Sequence, residues 1–269
     1  MTIAVYCCIT DKYDRLPEVS IKEPGVDYIC FTDSVKFYSA QNKLGIWNLQ
    51  KIEYTGRSAD CNRAVKILAH RFLGDKYSYT VYIDAYIDIV GSVRSVINKN
   101  PNINIATYRH PFRETLAEEM LTCALSGHST IWRALSQYNI TLDSGYIENF
   151  NLQECSVLFR KHGQIDVVAF SKVWWNQYIN GIKRDQLSFG LAQQITGCYG
   201  LCLGESDPRF GNKIFRHRLL HAPRLRIVQR IRSLLNKLLL LLNRNKYFFG
   251  NKSLNTVEIT GGQIRVALK

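Results

Sequence analysis

The stretch from Tyr77 to Ser92, YSYTVYIDAYIDIVGS, constrains this chain more than any other. Its β-branched and aromatic residues run up to Asp84, a second acid follows at Asp88, and Gly91 closes the segment. Such a run, bounded by turn residues, predicts a buried strand. A carboxylate at the tip of a buried strand is costly to desolvate unless a cation, a donor or water meets it. In open α/β sheets ligands bind at the carboxyl ends of strands. Asp84 is therefore the first candidate functional residue, set against an ordinary strand-end Asp that caps the next turn.

Other short apolar runs repeat the pattern. Ile3–Ile9 predicts a first strand buried on both faces, with the polar loop TDKYDRL after it. Tyr28–Phe31 predicts a second, followed at once by Asp33, and Trp47–Tyr54 a third. Strands with polar or acidic tips point to a nucleotide-type α/β sheet. Neither GxGxxG nor a P-loop occurs, so a dinucleotide fingerprint and a Walker-type phosphate cradle are both unsupported.

Residues 60–73, DCNRAVKILAHRFL, carry apolar residues at helical spacing and place Arg63, Lys66 and His70 on one stripe. Two cations one turn apart can grip a diphosphate, although a solvated charged face has the same spacing. Further on, Ile103–Tyr108 predicts a strand ending near His110, and Arg113–Leu125 a helix with acids in its early turns. Glu154–Arg160 predicts a strand and Val167–Ile182 a helix. In that helix Trp174 and Trp175 face about 100° apart, so one can lie in the core and the other can offer a face to a sugar. Asp185 stands before the apolar-periodic run through Leu187 and Leu191, a position that suits either an N-cap or a carboxylate facing a cleft.

Charge divides the chain. Residues 1–210 hold 22 basic and 21 acidic side chains, whereas residues 211–269 hold 13 basic and only Glu258. The expected organisation is a nearly neutral domain over 1–210 and a basic tail over 211–269. A nucleic-acid binder usually carries its charge on the folded face, so that class is disfavoured. The tail places Leu225, Ile227, Val228, Ile231, Leu234, Leu235 and Leu238 on one helical face, with Arg226, Arg230, Asn236 and Lys237 opposite. This predicts a basic amphipathic helix suited to an anionic membrane surface, to a partner or to packing on the main domain. A weak closing strand is expected near Val257–Ile259 and Ile264–Ala267. Eight cysteines without a CxxC pair, and an N-terminus without a basic leader, read as a cytoplasmic protein with structural thiols.

The order of YICFTDS (28–34), NRAVKILAHRFL (62–73), YSYTVYIDAYIDI (77–89), RHPFRETLAEE (109–119) and RDQLSF (184–189) resembles a GT-A-type nucleotide-sugar glycosyltransferase. More narrowly, it resembles the glycosyltransferase-like domain of the plant mucilage-related and turgor-regulation proteins and their bacterial relatives. The resemblance implies an α/β/α sandwich around a mixed, mostly parallel sheet. It implies sugar transfer from a nucleotide-sugar donor, such as a UDP-sugar, to a glycan or lipid-linked acceptor in surface polysaccharide synthesis, and the basic tail would place such an enzyme peripherally at the inner face of the membrane. On this sequence it assigns Thr10 with its loop and Asp33 to the nucleoside, and Arg63 and Lys66 to the diphosphate. Asp84 falls beside the phosphates or sugar, and Asp185 is the candidate base or sugar-binding acid. His110, Arg113, Trp175 and Gln186 fall on the acceptor or sugar side.

One departure concerns metal. Asp-x-Asp pairs place two carboxylates about 6.6 Å apart on one face of a strand. Here Asp84 is followed by Ala85 and Tyr86, so Mn²⁺ or Mg²⁺ would need Asp88, through a turn at 85–86, and a late His such as His217 or His221. The alternatives are a cation-assisted site without metal and a non-catalytic nucleotide-sugar or glycan-binding relative.

Overall fold

The structure is a computed structural model. It describes residues 1–148, 151–204, 208–218 and 227–242, and the backbone of strands 248–249, 252–260 and 263–268. Two compact units are present. The first comprises Met1–Arg109, Gln153–Asn176 and Ala192–Leu220, and the second His110–Leu152, Gln177–Leu191 and His221–Lys269.

The first unit is built on a seven-stranded sheet. In chain order its strands are β1 (Ile3–Ile9), β2 (Val26–Thr32), β3 (Trp47–Lys51), β4 (Tyr79–Ile83), β6 (Ile105–Arg109), β7 (Gln153–Lys161) and β8 (Leu201–Cys202), while β5 (Ile87–Ile89) pairs elsewhere. The spatial order is β3-β2-β1-β4-β7-β6-β8. β1, β2, β3 and β4 are parallel, and β7 runs antiparallel to both β4 and β6. Every residue of β1 and β4 is buried, as a central strand covered on both faces requires. The core is made of apolar side chains such as Val5, Cys30, Val81, Val157 and Phe159. Helices α1 (Val35–Gln41), α2 (Ser58–Ile67), α3 (Ala69–Phe72) and α4 (Val93–Lys99) connect these strands. The result is the mixed, mostly parallel sheet flanked by helices that the resemblance implied.

Two local features differ from expectation. The Tyr77–Ser92 stretch is two strands instead of one. Asp84 O accepts the Ile87 N–H at 2.9 Å, closing a turn over Ala85 and Tyr86. β5 then leaves the main sheet and pairs antiparallel with β9 (Phe215–His217). The stripe Arg63–Lys66–His70 is also broken, because the first helix stops at Ile67 and Leu68 leaves helical geometry. The cause lies on β7. Arg160 is 2% exposed and its guanidinium donates to the carbonyls of Lys66 (2.6 Å) and Ile67 (3.0 Å) and to the Tyr6 hydroxyl. Carbonyls at a helix C-terminus lack intrahelical donors, and a buried cation satisfies them.

The second unit holds α5 (Leu116–Leu125), α6 (Ile131–Asp143) and α9 (Ile227–Leu242), together with the strands β10 (Phe248–Phe249), β11 (Lys252–Thr260) and β12 (Gln263–Leu268). α5 begins at Leu116 instead of Arg113, because Thr115 and Glu118 form a capping box there. α5 and α6 share a core that includes Met120, Leu121, Ala124, Ile131, Ala134 and Tyr138. Where a weak closing strand is expected, two longer strands, β11 and β12, pair antiparallel. Helices α7 (Ile165–Asn180) and α8 (Gln186–Thr196) each belong partly to both units.

Candidate active site

Parallel pairing brings the carboxyl ends of β1, β2 and β4 to one edge of the sheet. Ile9 pairs with Thr32 and Tyr6 with Tyr82, so Thr10, Asp33 and Asp84 all lie just beyond strand ends at that edge.

At the β1–β2 side, Asp33 is fixed from several directions. The Asp11 N–H donates to its Oδ2 at 2.9 Å and the Ser34 hydroxyl to its Oδ1 at 2.8 Å. The Tyr54 hydroxyl lies 3.0 Å from Asp11 Oδ1 and 3.3 Å from Asp33 Oδ2, donating between them. Asp11 and Lys12 have φ of 55° and 52°, and among the described residues they alone adopt positive φ without being glycine. Left-handed backbone at two successive side-chain-bearing residues is held only where its surroundings over-determine it, and such strain clusters at functional sites. Thr10 is buried and its hydroxyl donates to Ser58 O at 3.3 Å, while the Asn62 amide donates to Cys8 O at 2.5 Å. These bonds pin the start of α2 to the tip of β1. Arg63 follows on α2 and donates to Asn62 Oδ1 at 2.6 Å.

Asp84 sits at the end of β4 with its side chain 13% exposed. Tyr82 donates to its Oδ1 at 2.8 Å and Tyr86 to its Oδ2 at 3.0 Å. Burial, reinforced by the Asp84 carboxylate, pushes both phenols well above their ordinary range, so both remain protonated donors. The ammonium of Lys66, 1% exposed, lies 3.9 Å from Asp84 Oδ1 and 5.1 Å from the centre of the Tyr82 ring. Lys66 thus points at Asp84 from within the core, and Arg63 is the partly exposed cation of the pair.

The turn at Ala85–Tyr86 exists, but Asp88 is engaged elsewhere. It is 1% exposed, accepts the Glu18 N–H at 2.8 Å, and lies 3.3 Å from Arg216 and 3.4 Å from Arg218 Nε. His217 stands opposite Ile87 and its ring packs on that of Tyr86, with centres 4.8 Å apart. His221 lies outside the described residues. Among the described residues no group of three or more His, Cys, Asp or Glu is arranged to hold a metal. The oxygens of Asp84 and Asp88 face tyrosine, arginine and backbone donors.

Arg218 is a site residue that sequence reasoning missed. Its guanidinium donates to Ala85 O, to Arg15 O at 3.1 Å and to Asp14 Oδ1 at 3.3 Å. One side chain thereby ties the loop after β1 to the turn after β4. Tyr82, Tyr86, Tyr54 and Asn62 were missed as well. Only Tyr86 left a readable signal, since it occupies the position of the absent second acid.

The remaining candidates fall in other places. Trp174 is fully buried against Phe170, whereas Trp175 on the same helix is half-buried. In the second unit, His110 is 5% exposed and its Nδ1 accepts the N–H groups of Phe112 (3.2 Å) and Arg113 (3.1 Å). That ring shapes the HPFR turn. Arg113 forms an ion pair with Glu119, and Arg184 Nε lies 3.1 Å from the same carboxylate, which is 1% exposed. The buried acid of RHPFRETLAEE therefore joins that motif to RDQLSF. Asp185 and Gln186, 3% and 5% exposed, stand at the start of α8.

Acid-tipped parallel strands with a cation-bearing helix beside them make an α/β sheet whose strand ends can receive a polar ligand. The family model for the TOD1/MUCI70 glycosyltransferase-like domain matches residues 1–197, and the chain belongs to that family. Among solved structures it is similar to mouse xyloside xylosyltransferase 1 in its apo form. The TM-score is 0.46 and the identity 8%, over 75% of this chain and 84% of that one. No curated protein matches the chain.

Proposed function

We propose that this domain transfers a sugar from a nucleotide-sugar donor, a UDP-sugar, to a hydroxyl of a glycan or lipid-linked acceptor, in the synthesis of a surface polysaccharide. The observation that carries this reading is the carboxylate of Asp84, held at a strand end by two phenols and a buried ammonium. The strained loop at Asp11–Lys12 and the fixed Asp33 form the nucleoside side, and Arg63 faces the diphosphate. The acceptor oxygen attacks the anomeric carbon, its proton passes to a base, and the bond to the diphosphate breaks. Negative charge then builds on the leaving group, where a nearby cation is worth most. Asp84 orients the donor by accepting from sugar hydroxyls, and its fixed oxygens need no rearrangement to do so.

A second reading has its own observation. Tyr86 fills the second-acid position and Asp88 is closed off by arginines, which suits a relative that binds a nucleotide sugar without turning it over. Calorimetric titration with UDP and a panel of UDP-sugars, beside an assay for donor hydrolysis, tests both. Binding with slow hydrolysis supports the transferase, and binding alone supports the binding relative. No binding to any nucleotide sugar removes both.

A further inference from the structure

Helix α9 is docked the wrong way round for a helix that belongs to a soluble surface. An amphipathic helix ordinarily buries its apolar stripe against the core. Here the buried face is Ser233, Asn236 and Leu240, two of them polar, and only Leu240 joins the α5–α6 core. Asn236 is 2% exposed, and its amide donates to Ala124 O at 2.7 Å and Ser129 O at 2.8 Å while accepting the Ile131 N–H at 3.2 Å. Ser233 donates to Leu125 O at 2.5 Å, and Arg232 to the carbonyls of Gly127 and His128. These bonds satisfy the last carbonyls of α5 and the first amide of α6, which a helix end leaves without partners. Docking by this face turns the apolar stripe outward. Ile231, Leu234, Leu235, Leu238, Leu241 and Leu242 are each 50% exposed or more. They fall within an arc of about 120° at 100° per residue. Arg230 and Lys237 border that arc on one side and Arg232 on the other, and the helix holds no acid.

We infer that α9 lays this face into an anionic lipid surface. The charge pattern selects the occupant. The helix lies in a segment, residues 211–269, that holds 13 basic side chains and one acid, and cations flanking an apolar stripe match acyl chains below anionic headgroups. Among the described residues no helix is long and apolar enough to cross a membrane, so this one lies in the interface plane. α9 follows the residues matched by the family model, and this inference stands independently of the donor-site reading.

Flotation of the full-length protein with vesicles tests it. Vesicles of equal parts phosphatidylcholine and phosphatidylglycerol should carry the protein upward. Vesicles of phosphatidylcholine alone should bind about 25-fold more weakly, at roughly fivefold for each of Arg230 and Lys237. The double variant Leu234→Asp/Leu238→Asp should lose flotation with an unchanged melting midpoint, since both side chains already face outward. Arg230→Glu/Lys237→Glu should lose the preference for the anionic lipid. Absence of flotation by the wild type overturns the inference, as does equal flotation by the leucine variant. Sedimentation that shows a dimer, lost in the leucine variant, without vesicle binding, would assign the face to a second copy of the chain instead.

Discussion

The hydroxyl of Tyr86 donates to Asp84 Oδ2 at 3.0 Å, from the position where an Asp-x-Asp pair would carry its second carboxylate. The side chain at that position holds the first acid where a second acid would share a cation with it. Tyr82 holds the other oxygen at 2.8 Å, so the carboxylate has one orientation. Replacing Tyr86 by Phe removes a donor to a charged group, an interaction of about 1.5 to 3 kcal/mol. Urea denaturation of Tyr86→Phe should show a loss in that range, and an unchanged midpoint would mean that the bond contributes nothing in solution.

Glu119 makes a different kind of prediction. It is buried between Arg113 and Arg184. Removing one partner of a buried ionic group leaves the others uncompensated, at about 3 to 5 kcal/mol. Glu119→Ala should therefore destabilise strongly. Arg113→Ala combined with Arg184→Ala should cost more than the sum of the single changes, because only the double change leaves the buried carboxylate without a cation. A double-mutant cycle by thermal denaturation checks this, and strict additivity would contradict it.

Burial lowers His70, His128 and His162 below the ordinary histidine value, aided by Arg71 and Arg160 at His70, by Arg184 at His128 and by Arg160 at His162. Each favours the neutral ring in the folded state. As pH falls through about 6.5 the unfolded chain takes up protons first. Stability from these groups is therefore complete above that value and is lost as pH falls toward the lower folded values. Melting midpoints should be flat for these groups above about pH 7 and decline below about 6.5. His162→Gln should shrink the decline.

Gly127 has φ of +75°, and a Cβ there would lie inside contact distance of the backbone carbonyl of Gln229 on α9. Gly127→Ala should loosen the docking of α9. Hydrogen exchange should then rise in residues 227–242, and unchanged protection would contradict the docking geometry.

The strand tips were legible in the sequence because an apolar run that stops at an acid has few other solutions. Asp33 and Asp84 could be placed on that ground alone. The outward apolar face of α9 was legible as a stripe, but the direction of its docking was not, since Asn236 and Ser233 meet carbonyls over a hundred residues away. Arg160 and Arg218 were invisible for the same reason. Each serves backbone carbonyls in other segments, and side chain–backbone bonds of that range leave no periodic mark. The fate of Asp88 turned on Arg216 and Arg218, brought to it by the β5–β9 pairing, a short antiparallel contact that strand propensity alone does not announce.

Donor binding by Asp84 is checked by titrating wild type and Asp84→Asn with the best-bound UDP-sugar, each with and without Mn²⁺. That role predicts that the substitution weakens binding by about tenfold or more, the loss of roughly one charge-assisted hydrogen bond. It also predicts that Mn²⁺ changes the wild-type affinity little, because the oxygens of Asp84 and Asp88 already face protein donors. Equal affinity in the two proteins would contradict that role, and a strong Mn²⁺ requirement abolished by Asp84→Asn would show that the carboxylate is a metal ligand after all.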